Sequence, residues 1–242
     1  MEFIKSWITD IMINIILMAG RGQRFKDKGY VNPKALIPVK KKMMFEHSLS
    51  NCSNPERYIF VVNKQIFNHN KFKNYLKNFK NNYEVVVLNR TTNGQATSLY
   101  KSLNNVRNED KIFVSSCDVS FQSIKNLDDS KNTIFAIKAN NFHFKNSKYF
   151  GWTYMNEKEI KVSCKSIPEV NKKLSIIIGS FYFSKAENFK LAYEKMVKEN
   201  FTTSGEFYLD NIFNFDPIKK NSIIRFVDGY KSFGTPEEII LN

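Results

Sequence analysis

Residues 13–39 read INIILMAGRGQRFKDKGYVNPKALIPV, and this stretch decides the fold. It opens with a short apolar run, Ile13 to Met18, that stops at Gly20. A brief apolar run ending on glycine is the pattern of a parallel strand buried on both faces. Gly20-Arg21-Gly22 follows, then Arg24, then Pro33-Lys34. Glycines let backbone N–H groups come close to a phosphate because no Cβ intervenes. Arg24 can offer two parallel donors to phosphate oxygens. Pro33 holds Asn32 extended and so presents Lys34 in a fixed direction. A lysine there can neutralise charge on a phosphorus under attack. Two familiar phosphate loops are excluded: GxxxxGK[ST] is absent, and the third glycine of a dinucleotide fingerprint is replaced by Phe25.

Outward from this stretch the strand pattern repeats at Tyr58 to Val62, Glu84 to Leu88, Lys111 to Ser115 and Thr133 to Lys138. Helical patterns lie between, at Met43 to Ser50, Phe72 to Phe79 and Ala96 to Leu103. The alternation predicts an α/β fold, a doubly wound and mostly parallel sheet with ligands beyond the carboxyl ends of its strands. After about residue 140 the rhythm changes. Strands are expected at Gly151 to Met155, Ile160 to Cys164 and Ile176 to Phe183, and helices at Lys185 to Glu199 and Glu206 to Phe213. The expected organisation is a single domain over residues 13–242, preceded by an extension over residues 1–12. Residues 13–140 form its nucleotide-binding half, and residues 141–242 a small substrate-side lobe. Residues 140–150 are read as the crossing loop.

Composition narrows the classes. With 242 residues, 42% of them hydrophobic, the chain can bury a sizeable core. Its net charge of +14 is either a field that attracts anions or a lysine-rich background, so it does not specify a partner. Nucleic acid is not expected, because the phenylalanines fall within apolar runs instead of being interleaved with a basic face. Three widely spaced cysteines, Cys52, Cys117 and Cys164, fit a reducing cytoplasmic location and no disulfide framework. The N-terminus lacks the pattern of a signal peptide, and the run Ile11 to Met18 is too short to span a bilayer. No membrane association is expected.

G-x-G-x-R-F followed by P-K-x-L-I-P-V resembles the sugar-phosphate nucleotidyltransferase (nucleotide-sugar pyrophosphorylase) family, and the resemblance runs over most of the chain. Thr92 to Thr97 (TNGQAT) is similar to the family's base-reading segment. Ser116-Cys117-Asp118-Val119 stands where the family has a strand-end aspartate for Mg²⁺. Val162 to Ile167 (VSCKSI), Gly179 and Ser204 to Leu209 (SGEFYL) are similar to its acceptor segments, and Phe233 to Glu238 (FGTPEE) to its closing segment. The resemblance implies a Rossmann-like nucleotidyltransferase fold and assigns roles. Met18, Ala19, Gly20, Arg21 and Gly22 would cradle the triphosphate. Arg24 would hold the leaving phosphates, and Lys34 would stabilise the α-phosphorus. Gln95 would read the base, with Gly94 allowing close approach. Asp118 would ligate Mg²⁺, and Lys165, Glu206 and Gly179 would hold the acceptor. Two departures stand out. The closing segment has no carboxylate just before its glycine, which leaves Asp228 as the nearest second metal ligand, and Cys164 replaces a common glutamate.

The residues themselves leave some roles open: Asp118 either binds metal or caps a helix, and Glu206 and Asp210, spaced i, i+4, either share an acceptor-facing helix side or face solvent. The implied reaction joins a nucleoside triphosphate to a small phosphorylated acceptor and releases pyrophosphate. The compact form with M-A-G-R-G and G-E-F-Y looks most like bacterial capsule cytidylyltransferases. It implies CTP with a polyol or sugar phosphate. Phosphoglutamine or phosphocholine is the alternative, and UTP, GTP or dTTP with a hexose 1-phosphate the next. A homodimer is compatible with the resemblance. A glycosyltransferase would show a D-x-D motif, but Ser116-Cys117-Asp118 carries one carboxylate.

Overall fold

The computed structural model describes residues 10–157 and 159–241. Nine strands make the main sheet: β1 (Met12–Leu17), β2 (Arg57–Asn63), β3 (Tyr83–Leu88), β4 (Lys111–Ser116), β5 (Asn132–Lys138), β6 (Gly151–Asn156), β7 (Glu159–Cys164), β8 (Ser175–Phe183) and β9 (Ser222–Phe226). Their order is β7-β6-β8-β4-β1-β2-β3, with β5 pairing with β8 off this path and β9 pairing with β5. β1 pairs in parallel with both β2 and β4, and β2 with β3. The chain therefore winds outward in opposite directions from β1, which opens a crevice between the ends of β1 and β4.

The helices are α1 (Gln23–Lys26), α2 (Met44–Ser48), α3 (Lys64–Asn68), α4 (Asn70–Asn78), α5 (Gln95–Ser102), α6 (Asn141–Lys145), α7 (Ala186–Lys198) and α8 (Pro236–Leu241). On one face, Leu99 of α5 and Phe189, Ala192 and Met196 of α7 pack on Ile13, Ile15, Val114 and Phe183. On the other, Phe45 of α2 and Phe72 of α4 pack on Ile16, Phe60 and Val62. Strands apolar on both sides are thus covered on both sides. Each fully buried large side chain contributes about 1.5–3 kcal/mol, so these layers fix the sheet rigidly beneath the crevice.

The antiparallel half has its own device. β8 pairs with β6 through residues 175–177 and with β4 through residues 180–183. Its register against β5 shifts between Ile177 and Phe181, and Gly179 sits in that break with φ +71. One strand therefore leaves the β4 partnership and joins β6, and the sheet opens next to the end of β4.

The expected strands and the helices at 72–79, 96–103 and 185–199 form within a few residues of their predicted bounds. Four readings change. Residues 206–213 are not a helix: Thr203 and Glu206 form an isolated bridge, and a 3-10 turn covers Asp210–Asn214. Glu206 and Asp210 consequently share no helix face. Residues 140–150 are not a loop, since the Asn140 side chain accepts from the His143 N–H and starts α6, followed by a 3-10 turn at Ser147–Tyr149. β9 and α8 were not expected from periodicity. The packed chain also begins before Ile13, because the Ile11 N–H donates to Asp110 Oδ1 at 3.3 Å and β1 starts at Met12. Residues 1–9 of the expected extension lie outside the described residues. Among the described residues no helix is long and apolar enough to cross a membrane.

Candidate active site

The crevice holds two connected lobes. The smaller, about 450 Å³, is walled by the turn after β1, the start of α5 and the end of β4. The larger, about 730 Å³, extends towards β6, β8 and the closing segment. Arg24, Gln95, Ser116, Asp118, Tyr208 and Gly234 line both, so the two lobes meet at the end of β4.

The turn after β1 is anchored before it reaches the lobe. The Met18 N–H donates to the Val61 carbonyl at 2.8 Å, and Met18 is buried. Gly20 has no atom within 4 Å of where a Cβ would lie, whereas Gly22 is left-handed (φ +64) and its absent Cβ would meet that of Lys34 at 3.0 Å. This turn brings residues 20–22 and Lys34 to one wall. Lys34 opens a 3-10 turn behind Pro33, whose ψ of 141° keeps the approach extended. Its Nζ lies 2.5 Å from Asp118 Oδ2, with the two side chains only 22% and 19% exposed. Burial alone disfavours the Lys34 charge. The Asp118 carboxylate more than offsets this and raises the ammonium pKa above the usual lysine value.

Asp118 is held from the far end of the sequence. Its carbonyl accepts from the Phe233 N–H at 2.7 Å, and residues 231–232 pair antiparallel with residues 119–120. This docking brings α8 over the site. Glu238 Oε2 and Asp118 Oδ2 lie 3.2 and 3.4 Å from the point a Cβ on Gly234 would occupy. Glu238 Oε2 also accepts from the Thr235 N–H at 2.9 Å. The second carboxylate near Asp118 is therefore Glu238. Asp228 is exposed, lines neither lobe, and bonds Gln122 through its backbone carbonyl. Spacing before the glycine pointed to Asp228, but the helix after Thr235 folds back and delivers a residue four positions beyond Gly234.

Gln95 begins α5 and donates to Ser116 Oγ at 3.3 Å, which places its amide between the lobes. Gly94 lines the smaller lobe and also meets a packing need. An added Cβ would lie 2.4 Å from the Phe207 carbonyl oxygen, so the missing side chain makes room for backbone. Two bonds seal this contact, Phe207 N–H to the Asn93 carbonyl at 2.7 Å and Ala96 N–H to the Phe207 carbonyl at 3.0 Å.

The expected acceptor residues are dispersed. Glu206 is exposed and lines the smaller lobe only. Lys165 (φ +62) lines neither lobe; its Nζ hydrogen-bonds the Tyr208 hydroxyl and lies 4.4 Å from that ring's centroid. Gly179 lines the larger lobe beside Ser116. Tyr208, on both lobes, is thus the side chain through which Lys165 reaches the cleft, and motif reading missed it. Tyr149 was missed as well: Arg24 lies 5.0 Å from its ring centroid, a cation–π contact across the mouth of the larger lobe. Tyr208 lies within the acceptor-like segment SGEFYL but was not singled out there, and nothing in the sequence near Tyr149 marks it, because each acts through a neighbour distant in the chain.

Among the described residues, no three His, Cys, Asp or Glu side chains gather where they could hold a metal. The pair of Asp118 and Glu238 does suit a hard cation of the Mg²⁺ type, which commonly takes one or two carboxylates and completes its shell with phosphates and water. Arg21, Arg24 and Lys34 line the smaller lobe and give it basic side chains suited to an anion.

Residues 14–130 match the MobA-like NTP transferase domain family. No curated protein sequence matches significantly. The fold is shared with the nucleoside-diphosphate-sugar pyrophosphorylase from Vibrio cholerae RC9, at a TM-score of 0.72 and 20% identity over 95% of this chain and 98% of that one. It is shared with the inositol-1-phosphate CTP transferase from T. maritima, at 0.69 and 18% over 95% and 92%. A UDP-glucose pyrophosphorylase complexed with UDP-glucose matches at 0.70 and 14% over 96% of each chain. The mostly parallel sheet is common to this chain and these three proteins, a likeness of fold.

Proposed function

On the premise that residues 14–130 form an NTP transferase domain on a sugar-phosphate nucleotidyltransferase fold, we propose that this chain transfers a cytidylyl group from CTP to a phosphorylated polyol or sugar, for capsule or surface-polysaccharide synthesis in the cytoplasm. The observation that carries the reading is the Lys34–Asp118 pair at the junction of the two lobes. The smaller lobe takes the triphosphate and the larger the acceptor. CTP is favoured by the capsule-type M-A-G-R-G and G-E-F-Y segments, with an inositol-1-phosphate CTP transferase among the proteins of like fold.

In this reaction an acceptor phosphate oxygen forms a bond to the α-phosphorus while the bond to pyrophosphate breaks, in line. Ionised near neutral pH, that phosphate needs no general base. The protein positions and neutralises. The turn at residues 18–22 holds the triphosphate, Arg24 the departing phosphates, and Lys34 offsets charge at the α-phosphorus. Gln95 faces the base. Mg²⁺, held by Asp118 and Glu238, would supply further neutralisation of the phosphates. The test is pyrophosphate release with CTP, UTP, GTP or dTTP against ribitol 5-phosphate, glucose 1-phosphate, phosphoglutamine and phosphocholine. Release with CTP and a polyol or sugar phosphate is expected. Release only with UTP or dTTP and glucose 1-phosphate would move the reading to a hexose-1-phosphate pyrophosphorylase. No release with any pair would end it.

A further inference from the structure

Asp210 has no part in the chemistry above, yet it lines the larger lobe. It begins the 3-10 turn Asp210–Asn214, and it forms no ion pair among the described residues. β6 makes room for it: a Cβ on Gly151 would fall 1.9 Å from Asp210 Oδ2, so any residue there other than glycine would expel the carboxyl. The lobe mixes apolar side chains, among them Phe150 and Ile177, with polar and charged ones. The other carboxylates of the lobe are occupied elsewhere. Glu237 lies 3.8 Å from Lys28, Asp27 accepts from Gln23, and Glu238 and Asp118 share the far end.

The groups facing Asp210 are few. Cys164, at the end of β7, hydrogen-bonds it, and Lys165 acts on it at longer range while its ammonium bonds Tyr208. On β6 Gly151 lies directly against it, and the Tyr208 hydroxyl shares its electrostatic surroundings. Burial without a cation of its own pushes the carboxyl up to about 7. This carboxyl has Cys164 as a hydrogen-bond partner and no ion pair among the described residues, so a ligand can bring it a further donor.

We propose that the Asp210 carboxyl selects the acceptor, taking a hydroxyl or ammonium donor from the end of the acceptor remote from its phosphate. This rests on the reading that the larger lobe receives the acceptor. Acceptors without a donor at that end leave the carboxyl with Cys164 alone and bind less well, as sites built to bond a polar group disfavour analogues lacking it.

Two substitutions separate the two kinds of donor. Asp210→Asn keeps an acceptor oxygen but no charge, and Asp210→Ala keeps neither. For a hydroxyl donor, tested with ribitol 5-phosphate and glucose 1-phosphate, Asp210→Ala should raise acceptor KM about tenfold or more, and Asp210→Asn less than about threefold. For an ammonium donor, tested with phosphoglutamine, whose α-ammonium is remote from its phosphate, both should raise it about tenfold. Triphosphate KM should stay within about twofold in either case, since Asp210 does not line the smaller lobe. With an ammonium acceptor, wild-type kcat/KM should fall as pH drops through about 7 more than it does in Asp210→Asn, whereas with a hydroxyl acceptor the fall should stay below about threefold. Calorimetry with each acceptor phosphate alone runs in parallel, with thermal melts of each variant. If both variants match the wild type in acceptor affinity for every probe, including no binding by any, the proposal is overturned. Absence of pyrophosphate release by the wild type would end the nucleotidyl-transfer reading, and calorimetry would still decide on Asp210.

Discussion

Two glycines of the same cleft should respond oppositely to alanine. Gly94 has φ +108 and ψ 172, a region that is nearly glycine-only and costs other residues about 1–3 kcal/mol. Its new Cβ would lie 2.4 Å from the Phe207 carbonyl oxygen and 2.7 Å from the Phe207 nitrogen, both backbone atoms that cannot rotate away. Relieving the clash separates residues 93–96 from Phe207 and breaks the two bonds between them, each worth about 0.5–1.5 kcal/mol net. The total is roughly 2–6 kcal/mol. At about 2–4 °C per kcal/mol for a chain of this length, Gly94→Ala should melt roughly 5–20 °C lower. Gly20→Ala meets no atom within 4 Å and needs no unusual φ, so its melting temperature should stay within about 1–2 °C of the wild type. If the turn cradles phosphates, the same substitution should weaken triphosphate binding about tenfold, or about 1.4 kcal/mol. Differential scanning fluorimetry and equilibrium binding of CTP measure both. A Gly94→Ala protein that melts with the wild type would refute the steric argument. A Gly20→Ala protein that binds CTP normally would refute the cradle.

Lys34→Ala and Asp118→Ala should each lower kcat about 10²–10³-fold with the fold retained, as for removal of one preorganised electrostatic group, and near-normal pyrophosphate release by either would contradict its role. Glu238→Gln should shift the Mg²⁺ dependence of turnover to higher concentration, whereas Asp228→Asn should leave it unchanged; the reverse pattern would restore Asp228 as the second ligand. Asp210→Asn should stabilise the protein in a pH-dependent way. With a folded pKa raised from 3.8 to about 7, the wild-type carboxyl favours the fold fully below about pH 4 and loses that contribution as pH rises to 7. The advantage of the variant should therefore grow from pH 5 to 7.5 and level off, on the order of 2–4 kcal/mol, and a pH-independent difference in melting temperature would contradict the burial of that charge.

The local chemistry of the first half was legible in the chain. Apolar runs such as Ile13 to Met18 and Tyr58 to Val62 can only be strands buried on two faces, and a turn of glycine and arginine beyond the first suits phosphate. Lys34 and Asp118 were each readable as charged groups after a proline and after a strand. Their 2.5 Å contact across 84 residues was not, because it follows from β1 and β4 lying side by side. Periodicity failed over residues 203–214, where Phe207 spends its backbone on Asn93 and Ala96 and so cannot continue a helix. The sequence also pointed to Asp228 and not to Glu238, since which carboxylate faces Asp118 depends on the pairing of residues 231–232 with 119–120. Sequence fixes what each short segment can become, because strand, turn and cap preferences act within a few residues. Which distant side chains share a cleft is set only when the sheet order, the break at Gly179 and the returning C-terminal segment close together.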